Sequence, residues 1–543
     1  MKENIKSMLA VMSVFFLAAG CASCRGTNTV SSEGSTEEMQ TEEGWKKYAD
    51  TPVELSWYVN YSWFTTDWGT NVVSKAITED TGVSIRFITP AGSESEKLNS
   101  MISSNTLPDL VTVGWWETQA QDMIQQDMVY ALNLLADEYD PYFYQVVDKE
   151  SADWYTHEDG NLYCYPNSSY TVSDYEKNEV YSNQNFLVRK DLYEAIGSPD
   201  MSTPEGFMNA IRTVAERFPE VDGYPLIPIG CDEFNEYGCN SFDKYLQNFL
   251  AVPWEKDNEL YDRYTDPDYI SWLKVFRKLG EEGYLNDSIF IDRRTQMEEK
   301  IAQGRYFCML YQSSDMLAQQ KTLYANNPDS IYMAVDGPKN AAGDDPVLPG
   351  TGINGWTITF ISKNCKHPER AIAFLSYLMS EEGQKMIYLG VEGVTYDVID
   401  GKLVRKEEVQ NLLNTNRREY DQIYGADDTY WMLQDNVMQL QWHKDLPLFE
   451  SQLQDWTIPY TTYTGQYDII YEGGTEEEAI FDKISRDWGT TLPKLLLAFS
   501  EEEFDQILKE FVMRREEFGY RKIMEAGTKQ MHELKQKLGM EQP

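Results

Sequence analysis

Leu17-Ala18-Ala19-Gly20-Cys21 closes an apolar run that begins at Met8 and is preceded by Lys2 and Lys6. A basic start, a short apolar stretch and small residues before a cysteine describe a bacterial signal peptide whose cleavage exposes that cysteine. The pattern looks like a lipobox, so Cys21 is the expected lipidation site. It would carry a diacylglycerol thioether, and a second acyl chain such as palmitate on its freed amine would complete the two chains that stable anchoring needs. The apolar run falls short of the roughly 20 residues that span hydrocarbon, which argues against a transmembrane anchor. The mature chain is therefore expected on the extracellular face of the cell membrane, held by lipid.

The second group of residues with chemistry to offer is aromatic. The chain holds 14 Trp and 36 Tyr, and many stand beside Asn, Asp and Gly, as in Trp57-Tyr58-Val59-Asn60-Tyr61-Ser62-Trp63. Tyr and Trp join a flat apolar face to a polar tip, which suits the C–H faces and equatorial hydroxyls of sugars. Trp63, Trp115, Trp116 and Trp356 are the first candidates for ligand contact, followed by Tyr61, Tyr311 and Trp431. Glu117, Asp232, Asp315 and Glu392 are the candidate polar partners, because a carboxylate accepts paired hydrogen bonds from vicinal hydroxyls. For each aromatic the competing reading is core packing, and for each carboxylate it is a solvated surface group.

Other chemistries find little support. Only four histidines are present, and Cys21-Ala-Ser-Cys24 at the processing site is the sole CxxC, so no metal site and no cofactor are expected. Asp344-Asp345 and Asp427-Asp428 offer oxygen ligands without the spacing of a calcium loop. Cys231 and Cys239 stand close enough in sequence to close a short disulfide loop, or to remain reduced. Nothing resembles a nucleophile elbow or a distinct acid/base pair, so the chain is not expected to be an enzyme. The alternatives are a surface glycoside-active lipoprotein and a peptide-binding or adhesive one. A net charge of −42 repels phosphate backbones, which excludes nucleic-acid binding and leaves membrane attachment to the lipid.

Certain elements must position these residues. Residues 22–50 are Ser, Thr, Glu and Gly with almost nothing apolar, and read as a solvated tether, with folding expected from Val53. Val53–Val59, Val83–Ile88 and Pro108–Val113 read as strands separated by helices at Asn71–Asp80 and after Ser93, where Glu96 completes a capping box. Strand, helix, strand, helix, strand implies a parallel sheet, with ligand held by the loops leaving the strand carboxyl ends. Those loops are residues 60–69 and 114–118. Phe186–Val188 reads as a further strand, and Glu299–Gln303 followed by Gly304–Tyr311 as a helix feeding a buried strand. Asp266 caps a helix whose Tyr269, Trp272, Leu273, Phe276 and Leu279 form a core stripe, Gly355–Ile361 is a strand, Pro368 opens a buried helix, and from Thr475 the chain is largely helical.

Taken in order, several short segments give a resemblance. They are Pro108-Asp109-Leu110; Val188-Arg189-Lys190-Asp191-Leu192 with Gly197 and Thr203-Pro204-Glu205; Gly304-Arg305-Tyr306; His367-Pro368-Glu369-Arg370-Ala371; and Gly390-Val391-Glu392-Gly393. The chain resembles the extracellular solute-binding proteins of carbohydrate ABC importers, of the long Gram-positive lipoprotein type. The resemblance implies an α/β, two-lobed periplasmic-binding-protein-like fold of type II, with a hinge and extra C-terminal helices. It divides the chain into a signal peptide (1–20), a lipidated tether (21–50), lobe one (50–180 plus 350–400), lobe two (185–345) and a mainly helical region (401–543) packing across both. It also implies a monomer that closes on a carbohydrate, expected to be an oligosaccharide, and presents it to the permease subunits of an importer.

Overall fold

The computed structural model describes residues 42–91, 94–285, 287–442 and 446–540. The lipidation expected at Cys21, most of the tether and the Ser93 half of the capping box lie outside the described residues. Order begins before Val53, however: Gly44–Tyr48 is helical and Trp45 is buried, its ring edge-on to Tyr142 and Tyr377. One large indole amid polar residues was enough to start the fold earlier than composition suggested.

Two sheets carry the architecture. Their strands are β1 (Val53–Val59), β2 (Val83–Ile88), β3 (Leu110–Gly114), β4 (Cys164–Pro166), β5 (Gln184–Arg189), β6 (Ile227–Gly230), β7 (Tyr306–Gln312), β8 (Tyr332–Ala334) and β9 (Thr357–Ile361). The first sheet has the order β2-β1-β3-β9-β4 and the second β8-β5-β7-β6. β1 pairs in parallel with β2 and β3, as the strand and helix alternation required. The helix between β1 and β2 runs Val72–Thr81, with the Asn71 side chain capping its start and Gly82, at φ 68°, ending it. β9 then enters antiparallel between β3 and β4, setting Thr357 opposite Gly114 and Ile361 opposite Leu110.

Burial follows the two-residue period of a strand. Leu55, Trp57 and Val59 of β1 face one core with the helix Pro368–Met379, while Tyr58 joins Val111, Val113 and Phe360 in a second core on the opposite face. The second sheet has its own core of β5, β6 and β7 residues with the helices Pro204–Arg217 and Pro267–Glu281. The stripe expected from Tyr269 to Leu279 is buried there. Beyond residue 400 the chain serves both cores: Val409, Leu413, Tyr420 and Trp431 belong with the first sheet, and Trp488, Leu492, Phe504 and Phe511 with the second. The last three helices are Glu476–Leu496, Glu501–Phe518 and Tyr520–Lys537. Among the described residues no helix is long and apolar enough to cross a membrane.

Candidate functional site

At the first sheet the carboxyl ends of β1 and β3 and the amino end of β9 share one edge, as their registers require. Four of the candidate aromatics gather there. Trp63 and Trp356 stack with ring centroids 6.0 Å apart and planes 6° from parallel. Trp431 lies 4.4 Å from Trp356 and 5.7 Å from Trp63, and Tyr61 touches all three. Exposure grades across the group: Tyr61 and Trp431 are buried, Trp356 is partly buried, and Trp63 is 54% exposed. The cluster is thus a supported platform with one open indole.

Asn167, just past β4, sets that platform. Its side-chain oxygen accepts from the Thr357 N–H at 2.7 Å, its backbone oxygen accepts from the Trp356 N–H at 3.2 Å, and its amide donates to the Trp431 carbonyl at 2.9 Å. Gly355 makes the approach possible. At φ 68° a Cβ there would stand 2.0 Å from the Asn167 carbonyl oxygen, so both the conformation and the space call for glycine.

Glu117 follows Trp115 and Trp116 after β3. Its Oε1 accepts from the Gly114 N–H at 2.9 Å and its Oε2 from the Asn60 amide at 2.5 Å, while the Tyr58 hydroxyl donates to Asn60 Oδ1 at 2.6 Å. Burial pushes its carboxyl up to about 7; the two hydrogen bonds oppose that rise and the Glu94 charge adds to it. The native state therefore holds a proton between the usual 4.5 and about 7 that the unfolded chain has released. Stability from this group is complete below pH 4.5 and is lost as pH rises through 7. Urea unfolding at pH 5 and pH 8 should show Glu117→Gln losing about 2 kcal/mol less than the parent across that interval; equal losses would contradict the assignment.

The neighbouring tryptophans are placed otherwise. Trp115 packs partly buried against the Val111 and Val113 core, and Trp116 folds back over Gly114, 48% exposed, with the two rings edge-on at 5.8 Å. No described ring contact joins either to the Trp63 platform.

A second group forms at the matching end of the other sheet, where β6 and β7 end and β5 begins. Asp232 follows β6, Tyr311 lies near the end of β7, and Asp315 stands in the first turn of the helix Ser313–Asn326. Asp232 accepts from the Asn240 amide at 2.9 Å and the Glu233 N–H at 2.7 Å. Its carboxyl is raised, first by burial and then by the Asp315 charge, which outweighs that of Arg294. Arg294 lies 3.3 Å from Asp315 and 2.8 Å from Glu298. Cys231 and Cys239 flank this loop as buried free thiols, and Cys239 Sγ donates to the Asp232 carbonyl at 3.3 Å.

Asp468 lies between the two groups. It accepts from the Asn354 amide at 2.9 Å, two residues before Trp356, and the Lys244 ammonium, beside the Asp232 loop, is the charge that acts on it. Burial still raises its carboxyl to about 6. Three buried polar atoms in the two groups have no hydrogen-bond partner among the described residues: the Tyr61 and Tyr311 hydroxyls and the Trp431 indole N–H. Such atoms occur elsewhere in the molecule as well, and in these two groups they are the ones beside the candidate aromatics and carboxylates.

Asp344, Asp345 and Asp427 are held by Asn340, Lys339 and Arg405, and among the described residues no set of three His, Cys, Asp or Glu is arranged to hold a metal. Glu392 is exposed on the turn leading to the hairpin of Tyr396–Ile399 and Lys402–Arg405, with no described contact to the platform. Asn60, Glu94, Asn167, Asn354 and Asp468 were missed by the sequence reading. Asn354 alone carried a signal, in Gly352-Ile353-Asn354-Gly355-Trp356.

Residues 73–409 match the family described as bacterial extracellular solute-binding protein. The chain belongs to that family. Among curated solute-binding relatives, the polygalacturonan/rhamnogalacturonan-binding protein YtcQ of Bacillus subtilis is 20% identical over 414 residues, 74% of this chain and 76% of its own. Of solved structures, the alginate-binding protein AlgQ2 is 19% identical, covers 89% of this chain and 98% of its own, and has a TM-score of 0.64. The S. pneumoniae ABC-transporter substrate-binding protein FusA, in complex with kestose, is 14% identical over 89% of this chain and 99% of its own, with a TM-score of 0.68. These likenesses agree with the two-lobed α/β fold expected from the sequence.

Proposed function

We propose that this solute-binding protein captures an oligosaccharide and delivers it to the permease of an ABC importer, acting as a monomer tethered by lipid at Cys21. The observation that carries the reading is the stacked Trp63–Trp356 pair, with Trp63 half exposed, at a sheet end where, among the described residues, the buried Tyr61 hydroxyl and Trp431 indole N–H lack partners. Polygalacturonan and rhamnogalacturonan, alginate and kestose, named for three relatives, are all saccharides. Lobe one is taken as the first sheet with its return strand β9, and lobe two as the second sheet.

On closure, Tyr61, Trp63, Trp356, Trp431 and Glu117 would meet one side of the ligand and Asp232, Tyr311 and Asp315 the other. The aromatic faces cover sugar C–H groups, and the carboxylates and unpartnered hydroxyls take up the sugar's hydrogen bonds in place of water. The difference in ligand contact between open and closed forms is what the permease would read. Binding and release need no covalent step.

A thermal-shift screen of the purified protein against mono- and oligosaccharides tests this, with each stabilising ligand recovered and analysed. A ligand at 100 times its Kd stabilises the native state by about 2.7 kcal/mol. A rise in midpoint with the sugar recovered intact is expected. Cleavage of the sugar would replace the receptor with an enzyme, and stabilisation by peptides alone would replace the cargo.

A further inference from the structure

The carboxylates around the platform bear on which sugars it accepts. The Ser62 N–H and hydroxyl, on the same loop as Trp63, both donate to Glu94 Oε1, at 2.8 and 3.1 Å. Glu117 follows β3, its Oε2 accepting from Asn60, the residue before Tyr61, and the Glu117 and Glu94 charges both bear on Tyr61. Lys97, on the same helix as Glu94, is exposed and makes no described salt bridge with it. Of the cations near the other two groups, Arg294 is paired with Asp315 and Glu298, while Lys244 is exposed and bears on Asp468. Asp232 adds a further carboxylate on that side.

We propose that the site selects for sugars without a carboxylate, with Glu94 and Glu117 acting as the residues that reject a uronate. This rests on the oligosaccharide reading above and narrows it to uncharged cargo. A uronate carboxylate beside the platform would meet the like charges of Glu94 and, above pH 7, of Glu117. A hydroxymethyl group or an ester at the same carbon carries no such charge and donates or accepts hydrogen bonds instead. The chain's net charge of −42 opposes approach of an anion at longer range as well.

Glutamine at position 117 can keep the local geometry. If Asn60 turns its amide over, its Oδ1 accepts from the new amide, its Nδ2 donates to the Tyr58 hydroxyl, and the Gly114 N–H keeps its acceptor. The Glu94→Gln/Glu117→Gln variant therefore removes charge with little change in shape.

The test is calorimetric titration of the whole protein with pairs that differ only at C6: tri-galacturonate against its methyl ester and against galactotriose, and tri-mannuronate against mannotriose. At pH 7.5 the uncharged member of the best pair should bind at least 100-fold more tightly than its carboxylated partner. The ratio should narrow by at least 10-fold in Glu94→Gln/Glu117→Gln, and narrow in the parent at pH 5.5, where Glu117 is protonated and the uronates are still ionised. Equal or tighter binding of a uronate at pH 7.5, or a ratio that the variant leaves unmoved, overturns charge selection while leaving the oligosaccharide receptor standing. Binding of neither member of any pair by folded protein overturns the oligosaccharide reading, and this proposal with it.

Discussion

Trp63→Ala should weaken ligand binding by about 100-fold while leaving the fold intact. The indole is half exposed and rests on Trp356, so its removal opens no closed cavity and should cost less than about 1 kcal/mol of stability. Its open face is the part of the platform available to a sugar ring, and truncating a central aromatic anchor typically costs 2–4 kcal/mol of binding, or some 30- to 1,000-fold in Kd. Trp431→Ala supplies the contrast. That indole is 7% exposed and packs against Tyr61, Phe64 and Trp356, so its loss should cost about 3 kcal/mol of stability together with the affinity. Calorimetry with a ligand found by the screen, alongside urea unfolding, separates the two. An unchanged Kd in Trp63→Ala would remove this indole from the site.

The largest effect on stability is expected at Trp488→Ala. Trp488 is 1% exposed, packs on Phe511 and Tyr264, and donates from Nε1 to Asp243 Oδ1 at 2.7 Å. Asp243 also accepts from the Cys239 N–H at 2.9 Å and the Tyr269 hydroxyl at 3.2 Å, and burial already raises its carboxyl to about 6. Removing the indole leaves a large cavity, about 3–5 kcal/mol, and takes a donor from a buried carboxylate, about 1–3 kcal/mol more. A loss of roughly 5 kcal/mol is expected, with Trp488→Phe between parent and alanine because it refills most of the volume without the donor. Urea unfolding read by far-UV circular dichroism checks this. A loss under about 1 kcal/mol would show the C-terminal helices to be an appendage instead of part of the second core.

Much of the fold was legible because its signals are local. Asn71 and Gly82 bracket a helix by cap chemistry, the alternation of Val83-Ser84-Ile85 marks an edge strand, and Tyr269 to Leu279 repeats at helical spacing. The aromatics were legible as a kind of residue and only partly as a group. Trp63 and Trp356 are far apart in sequence and meet because β9 pairs with β3, a register that no local pattern encodes. Trp115 and Trp116 had the same composition and the same position after a strand. Trp115 packs on the Val111 core and Trp116 lies half exposed over Gly114, with no described ring contact to the platform. The polar scaffold was the least legible part. Asn167 and Asp468 act through long-range hydrogen bonds, and an Asn or Asp in a loop looks the same whether it clamps a tryptophan or faces water.

The central position of β9 also governs the order in which the molecule can assemble. A chain that emerges amino end first presents β1, β2 and β3 early, but the free edge of β3 and the whole of β4 wait for residues 357–361. The second sheet, spanning residues 184–334, can close in the meantime. The first sheet is thus the last to be completed although it is the first to be synthesised, and pairing Leu110 with Ile361 closes a loop that contains the entire second sheet. The chain's leading half therefore cannot lock into a finished first sheet before its trailing half arrives.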